Sequence, residues 1–591
     1  MTHEDHRSGD PESSGIKRRT LLKASMAAAP MVLVPRRTEA QAALPPPSPP
    51  TTPWVEDLPL QDTPLLPTTL TPAPTLAANT AAGEAGRAPH QRYLDLCGPG
   101  KPAGTPVYYQ LTAKENPSWR FNGDNAYYPP QPIWGYEGNT PGAVTPGPTI
   151  HARYGQAIIC RIHNALPQFH QGFGSPEIST HLHNMHAPSE SDGFAGDWYS
   201  ATRSGPTLGG PGSFKDHFWP NLCAGFDEMG GYGDPREALG SLFYHDHTEN
   251  ATAPNVLKGL AGRYNLFDDL DTGSELTGLR LPSGAYDYPL AFGDRRFDAN
   301  GQIMFDQLNP EGTLGDKVIV NGKIEPVLRV ARRKYRFRLL NTGPSRFYEV
   351  YLQNAGANAV FPFTYIANDG NLLPNPLLNQ VRVRLAVAER ADIVIDFARF
   401  PLGTELYLVN MLLQNETRRP DRVQAPGTRL LKIVVDRNPP EPDTSQVPSA
   451  LRPLRPLPSE AELAALPVRR FNFERSGGMW AVNGRFFNVF QPEFTVAKGG
   501  MEIWELTNLD NGWQHPVHIH FEEGRILSKT INGQPVAIPP QERGRKDIYN
   551  LAGIATTRVL LRFRNFDGKY LMHCHNTIHE DHAMMVRFDI V

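Results

Sequence analysis

Four cysteines in 591 residues are too few for a disulfide scaffold. Neither charge is in excess, since 58 Lys and Arg stand against 61 Asp and Glu, and no basic stripe marks a nucleic-acid partner. Long apolar runs are missing too. Ala24 to Val34 is the nearest approach and falls short of the ~20 residues that cross a bilayer, so no stable membrane insertion is expected. The 12 methionines form no Met-rich insert, and the stretch 271–440 has no histidine at all. Proline and glycine, at 57 and 52, are abundant and suit a turn-rich all-β chain of roughly two to four domains.

The chemistry lies in where the 19 histidines fall. The stretch His573-Cys574-His575-Asn576-Thr577-Ile578-His579-Glu580 ends on Met584 and Met585 and follows the strand-like Lys569-Tyr570-Leu571-Met572. Alternate strand residues share a face, so His573 and His575 point one way and Cys574 the other. Cys574, His579 and Met584 supply thiolate, imidazole and thioether, the ligands of a blue-copper electron-transfer site. The second imidazole that such a site needs lies upstream in His515-Pro516-Val517-His518-Ile519-His520. There His518 and His520 share one face, and His515, at opposite parity, can face the other metal. His181-Leu182-His183 and His245-Asp246-His247 add two more His-x-His pairs. One such pair is weak evidence, being often two polar residues on an exposed face. Four pairs, one enclosing a cysteine, suit three further copper ions with positions open to a small molecule.

From about Trp54 to Val591 the chain resembles the multicopper oxidases, most closely the group of bacterial spore-coat laccases, bilirubin oxidases and phenoxazinone synthases. The resemblance rests on the four copper motifs in order and on the spacing from Cys574 to Met584. It implies three cupredoxin-like Greek-key β-sandwich domains and four copper ions. The type 1 ion falls to His515, Cys574, His579 and Met584. The type 2 ion falls to His181 and His518, and the type 3 pair to His183, His245, His247, His520, His573 and His575. Asp192, in Ser191-Asp192-Gly193, matches the family's acidic residue near the cluster, and Glu580 its proton-path carboxylate. Asn184 departs from the pattern, because the family usually has Gly after the first His pair. His186 is a candidate neighbour of the cluster, whereas His151, His163, His170, His217 and His582 read as ordinary hydrogen-bonded or surface residues.

Taken in order, residues 1–42 read as a twin-arginine signal: Arg18-Arg19 precede an apolar run and Ala40-Gln41-Ala42 offers a cleavage site, so export to a periplasmic or secreted location is expected. Residues 43–90 read as a Pro-rich linker and extended arm. Domains follow at 91–270, 271–440 and 441–591. The middle one, histidine-free, is expected to bridge its neighbours and line the substrate side, with Asn410 to Thr428 as a pocket wall. Val318-Ile319-Val320-Asn321-Gly322 is echoed by Trp480-Ala481-Val482-Asn483-Gly484, the mark of an internal repeat. Among the remaining cysteines, Cys160 sits in an apolar strand and reads as a buried thiol; Cys97 pairs with Cys223, or no bond forms.

The leading functional reading is a laccase-like oxidase. It takes single electrons from a small reducing substrate, a phenol or aminophenol, and reduces dioxygen to water. The alternative is oxidation of Mn(II) or a similar ion, for which Glu522 and Glu523 are the acidic candidates. A copper-free structural relative is a third reading, disfavoured because every ligand is kept.

Overall fold

Strand-forming runs dominate, and their two-residue alternation sets which side chains share a face. In the strand Lys334–Asn341, Tyr335, Phe337 and Leu339 enter the middle core while Arg336 and Arg338 occupy the other face. That polar face is not solvated. Arg336 and Arg338 are buried and meet Asp271, Asp287 and Asp392 at 2.5–2.8 Å, against Ser241 of the preceding sandwich. Buried guanidiniums are tolerated because each finds carboxylates in bidentate or near-bidentate geometry.

The computed structural model describes residues 46–591 apart from 61–63, 99, 102–103, 124 and 357–358. The signal expected over 1–42 lies outside the described residues. Residues Pro47–Val591 form one compact unit, and its sheets fall into three sandwiches. The first pairs a four-stranded sheet (Gln131–Glu137, Val107–Trp119, Ile158–Ala165, Phe214–Trp219) with another (Gly147–Arg153, Ala261–Phe267, Ser241–Asp246, Thr180–His183). The second joins eight- and six-stranded sheets between Asp287 and Arg437, and the third joins seven- and five-stranded sheets between Val468 and Ile590. Each sandwich has its own apolar core.

The internal repeat is visible in the backbone. Asn321 and Gly322, with φ of 47° and 83°, and Asn483 and Gly484, with φ of 52° and 71°, close equivalent hairpins in the left-handed region that Asn and Gly tolerate. Each asparagine side chain then accepts at 2.8 Å from the partner strand, Asn321 from the Ala291 amide and Asn483 from the Asn472 amide. In both sandwiches the second strand after the hairpin, Lys334–Asn341 and Met501–Asn508, adds in parallel to the strand that the hairpin pairs with.

Cys97 and Cys223 are not joined; all four cysteines are free thiols. Cys97 packs against the core of the third sandwich, while Cys223 is tied into its own loop by a backbone bond to Tyr232.

Candidate metal centre

Four strands, in two antiparallel pairs, carry most of the site. His515–Ile519 pairs with Gly568–Cys574 so that His518 stands opposite His573 and Val517 opposite Cys574. In the first sandwich, Thr180–His183 pairs with Ser241–Asp246 and sets His181 opposite His245. The two His-bearing faces meet between the first and third sandwiches, and all eight imidazoles of the four pairs are buried.

On the opposite side of the strand Gly568–Cys574, the Cys574 Sγ lies 3.5 Å from His515 Nδ1 and 3.6 Å from His579 Nδ1, and the two nitrogens are 3.3 Å apart. A point equidistant from the three atoms lies about 2 Å from each, a metal–ligand bond length. The backbone tightens this pocket: the Met584 amide donates to the His579 carbonyl at 2.9 Å and the Cys574 amide to the Met584 carbonyl at 3.0 Å. Met584 is fully buried in the same apolar core as Cys574. Burial pushes the Cys574 thiol up, so loss of its proton waits on a cation that binds the sulfur.

The eight-imidazole side is held by acceptors at the ring edges. Asp192 takes the Nδ1–H of His181 on its backbone carbonyl and that of His520 on Oδ2 at 2.8 Å. Gly193 (φ 84°) makes this approach possible, because a Cβ there would collide with the Thr180 carbonyl and His181 backbone. The Asp246 carbonyl accepts from His245 Nδ1 at 2.8 Å, and the Asp547 carbonyl from His518 Nδ1 at 3.0 Å. Glu580 lies with Oε2 3.0 Å from His573 Nδ1 and Oε1 3.5 Å from His247 Nδ1, and its Oε1 accepts from the Thr252 hydroxyl at 2.7 Å. The rings thus turn their other nitrogens inward: Nε2 of His573 is 3.2 Å from Nε2 of both His247 and His520. Nε2 of His181, His245 and His518 and both nitrogens of His575 find no hydrogen-bond partner among the described residues. Buried polar atoms are seldom left so, and a cluster of imidazole nitrogens within reach of one another fits metal ions.

Electrostatics agree. Burial, reinforced by neighbouring imidazoles, drives His181, His183, His518, His520, His575 and His579 well below the usual histidine range. Burial likewise lowers His245 and His515 to about 3 and His247 to about 4. Neutral imidazoles keep the lone pair that a metal takes. The two carboxylates diverge. Burial pushes Asp192 up, with Lys215 opposing, whereas at Glu580 the pull of His573 and His247 outweighs burial and holds the carboxyl below its ordinary range.

The twelve candidate ligands, with Asp192 and Glu580, therefore lie at two adjoining centres. Asn184 adopts a left-handed φ of 74°, where the family's glycine would be at ease. Its amide donates at 2.8 Å to the Asp369 carbonyl and to Glu523, so it ties loops together and touches no imidazole of the cluster. His186 stands apart, bonded to Asn565 between Phe521 and Phe566. Glu522 is engaged by Arg564 and Glu523 by Arg545, each within 2.7 Å, so neither presents a free carboxylate to an incoming cation.

Sequence reasoning missed several neighbours. Trp480 lies 4.0 Å from the His579 ring, and Trp513 5.4 Å from it. Arg418, in the second sandwich's hairpin within the stretch Asn410 to Thr428, lies 5.1 Å over Trp513. Trp513 lies two residues before His515, just outside the strand His515–Ile519. Asp547, whose Oδ2 is 2.8 Å from His183 Nε2, was not legible, for nothing in Lys546-Asp547-Ile548 announces it.

Comparison with known proteins gives the same architecture. A family model described as multicopper oxidase matches residues 463–591. Bilirubin oxidase of Albifimbria verrucaria is 33% identical over 461 residues, 77% of this chain and 72% of its own length. A laccase of Bacillus subtilis is 29% identical over 529 residues, 82% of this chain and 94% of its own. Among solved structures, a multicopper oxidase of Aquifex aeolicus superposes with a TM-score of 0.66 at 22% identity, covering 82% of this chain and 96% of its own. One from Campylobacter jejuni, described as a metallo-oxidase, gives 0.62 at 18%, covering 87% and 97%.

Proposed function

This chain belongs to the multicopper oxidase family, and from that premise we propose that its reducing substrates are phenols or aminophenols, oxidised one electron at a time as in a laccase. The family uses type 1, 2 and 3 coppers with dioxygen as acceptor, and the donor sets here fit them. When bound, the coppers supply one-electron acceptance at one centre and four-electron reduction of dioxygen at the other.

In this reading His515, Cys574, His579 and Met584 hold the type 1 ion, His181 and His518 the type 2 ion, and His183, His245, His247, His520, His573 and His575 the type 3 pair. The observation that carries it is Cys574 in a tight triangle with two imidazoles while its chain neighbours His573 and His575 enter the eight-imidazole cluster. With both centres loaded, Cys574 and its neighbours His573 and His575 would join them by a few covalent bonds. Reduction of dioxygen also takes up protons. Glu580, bonded to Thr252 and 3.0 Å from His573 Nδ1, and Asp192, whose carboxylate bonds His520, are the carboxyl groups beside these imidazoles, and they are assigned to hold and pass those protons. Trp480 and Trp513 are buried beside His579, and Arg475 covers both rings at 4.4 and 4.9 Å while Arg418 lies 5.1 Å over Trp513, so a reductant reaches this side past those two arginines. The metal-oxidase reading loses its acidic candidates to Arg564 and Arg545. Export by the twin-arginine signal to the periplasm or beyond belongs to the same proposal and rests on Arg18-Arg19 and the following apolar run.

Oxygen uptake by the copper-loaded protein with a methoxyphenol, an aminophenol and Mn(II) in parallel tests this. Uptake with the organic reductants alone is expected. Uptake with Mn(II) alone would overturn the substrate assignment, and a protein that binds no copper would overturn the ligand assignment.

A further inference from the structure

The second sandwich contributes no histidine, yet one of its side chains reaches the cluster. Arg390, on the strand Arg390–Asp396, is fully buried where the three sandwiches meet. Its two terminal nitrogens donate to the two carboxylate oxygens of Asp547 at 2.9 and 3.0 Å. The guanidinium is itself fixed by donating to the carbonyls of Ala388 (3.0 Å) and Asp369 (2.8 Å) in its own sandwich and of Ser241 (3.3 Å) in the first. It also lies 5.8 Å over Phe243, whose ring stacks on His183 and His245 at 4.5 and 5.0 Å.

Asp547 in turn meets one imidazole from each outer sandwich. Its Oδ2 is 2.8 Å from Nε2 of His183, a close electrostatic contact whose angle is not that of a hydrogen bond, and its carbonyl accepts from Nδ1 of His518 at 3.0 Å. These two rings stack face to face at 3.8 Å and 15°. A carboxylate beside Nε2 favours the tautomer that carries its proton there. A carbonyl beside Nδ1 of His518 does the same for the opposite nitrogen. Each ring then turns its remaining lone pair to the cluster. The orientation of ligand imidazoles is commonly set by such partners.

We propose that Arg390 and Asp547 are positioning residues for the trinuclear copper cluster, and that the histidine-free sandwich thereby governs cluster assembly by docking Arg390 against Asp547. The proposal rests on the ligand assignment above. Without Arg390 the Asp547 carboxylate would be buried with no counter-charge, a costly state relieved by taking up a proton or moving away. Either response alters the acceptor facing His183, and a shift of the backbone would also disturb the bond to His518.

The test compares the full mature protein with Asp547→Ala, Asp547→Asn, Arg390→Met and Arg390→Lys, reading copper per chain, the blue type 1 absorption and the type 2 electron paramagnetic resonance signal. Asp547→Ala and Arg390→Met are expected to keep the blue absorption while copper falls from four per chain toward one and the type 2 signal is lost or altered. Asp547→Asn retains an acceptor oxygen and should lose less than Asp547→Ala. If the truncations do not fold, Arg390→Lys and Asp547→Asn decide: an altered type 2 signal with intact blue absorption supports the proposal. Wild-type copper content and an unchanged type 2 signal in the folded variants would overturn it. A wild-type protein that itself lacks trinuclear copper would instead refute the ligand assignment.

Discussion

Replacing Glu580 by glutamine tests the proton role at a single atom. The side chain keeps its shape, so Thr252 and His573 keep a neighbour. What changes is charge and donor count: the carboxylate now faces the Thr252 hydroxyl at 2.7 Å and the His573 Nδ1 at 3.0 Å, and an amide NH2 would confront one of those donors. Loss of a charge-assisted bond costs about 1.5–3 kcal/mol, roughly 10- to 150-fold if all of it fell on the rate. Loss of a group that carries protons costs about 100- to 10,000-fold. The magnitudes overlap, so pH separates them. A positioning defect is uniform with pH, whereas a missing proton carrier is felt more as pH rises and protons become scarce. The assay reduces the enzyme anaerobically with a phenol, mixes it with dioxygen and follows return of the blue absorption. Reduction of Glu580→Gln by the phenol should match wild type, because the triangle of His515, Cys574 and His579 does not include residue 580. Reoxidation should slow by about 100-fold or more, increasingly at high pH. Reoxidation within about threefold of wild type at every pH would refute the role.

Cys574→Ser should abolish the blue absorption and phenol oxidation while copper in the eight-histidine cluster persists; loss of all copper would show that the two centres are not independently built. Trp480→Ala should destabilise the fold by about 3–5 kcal/mol, since its indole is buried against His579 and donates to the Pro310 carbonyl at 2.5 Å; a denaturant midpoint unchanged from wild type would contradict this. The copper-free protein should be acid-sensitive. Unfolded imidazoles titrate near 6.5, but in the fold burial lowers His245 and His515 to about 3 and His247 to about 4. Between those values the unfolded chain binds more protons, so this stability is complete above pH 6.5 and falls with pH, by about 1.4 kcal/mol per pH unit for each ring. Urea titrations from about pH 7 to about pH 5 should show a falling midpoint, and a constant one would count against neutral buried imidazoles.

The repeated Asn-Gly turns show how local signals survive into the fold. Asn321-Gly322 and Asn483-Gly484 need positive φ wherever they occur, so their short-range chemistry fixes the hairpins without outside help. The ligand strands are legible for a similar reason. A period of two sends His573 and Cys574 to opposite faces whatever lies beyond them, and both centres follow from that parity. The polar faces are another matter. Arg336 and Arg338 mark a face but not its cover, and the same alternation would suit solvent or the buried carboxylates that meet them. Glu522 and Glu523, read as candidates for binding a cation, are instead matched to Arg564 and Arg545, which are 42 and 22 positions further along.

By itself, then, the sequence determined the β-rich build and picked out twelve candidate ligand positions and the acids Asp192 and Glu580 beside them, because spacing and family motifs act over a few residues. The tertiary structure decided what surrounds them: Trp480 stacked on His579, Cys97 and Cys223 apart, and Asp547 held by Arg390 between two ligand imidazoles. Asp547 meets Arg390 and His183 from 157 and 364 positions away, and such pairings are set by how three sandwiches pack, which no local pattern records.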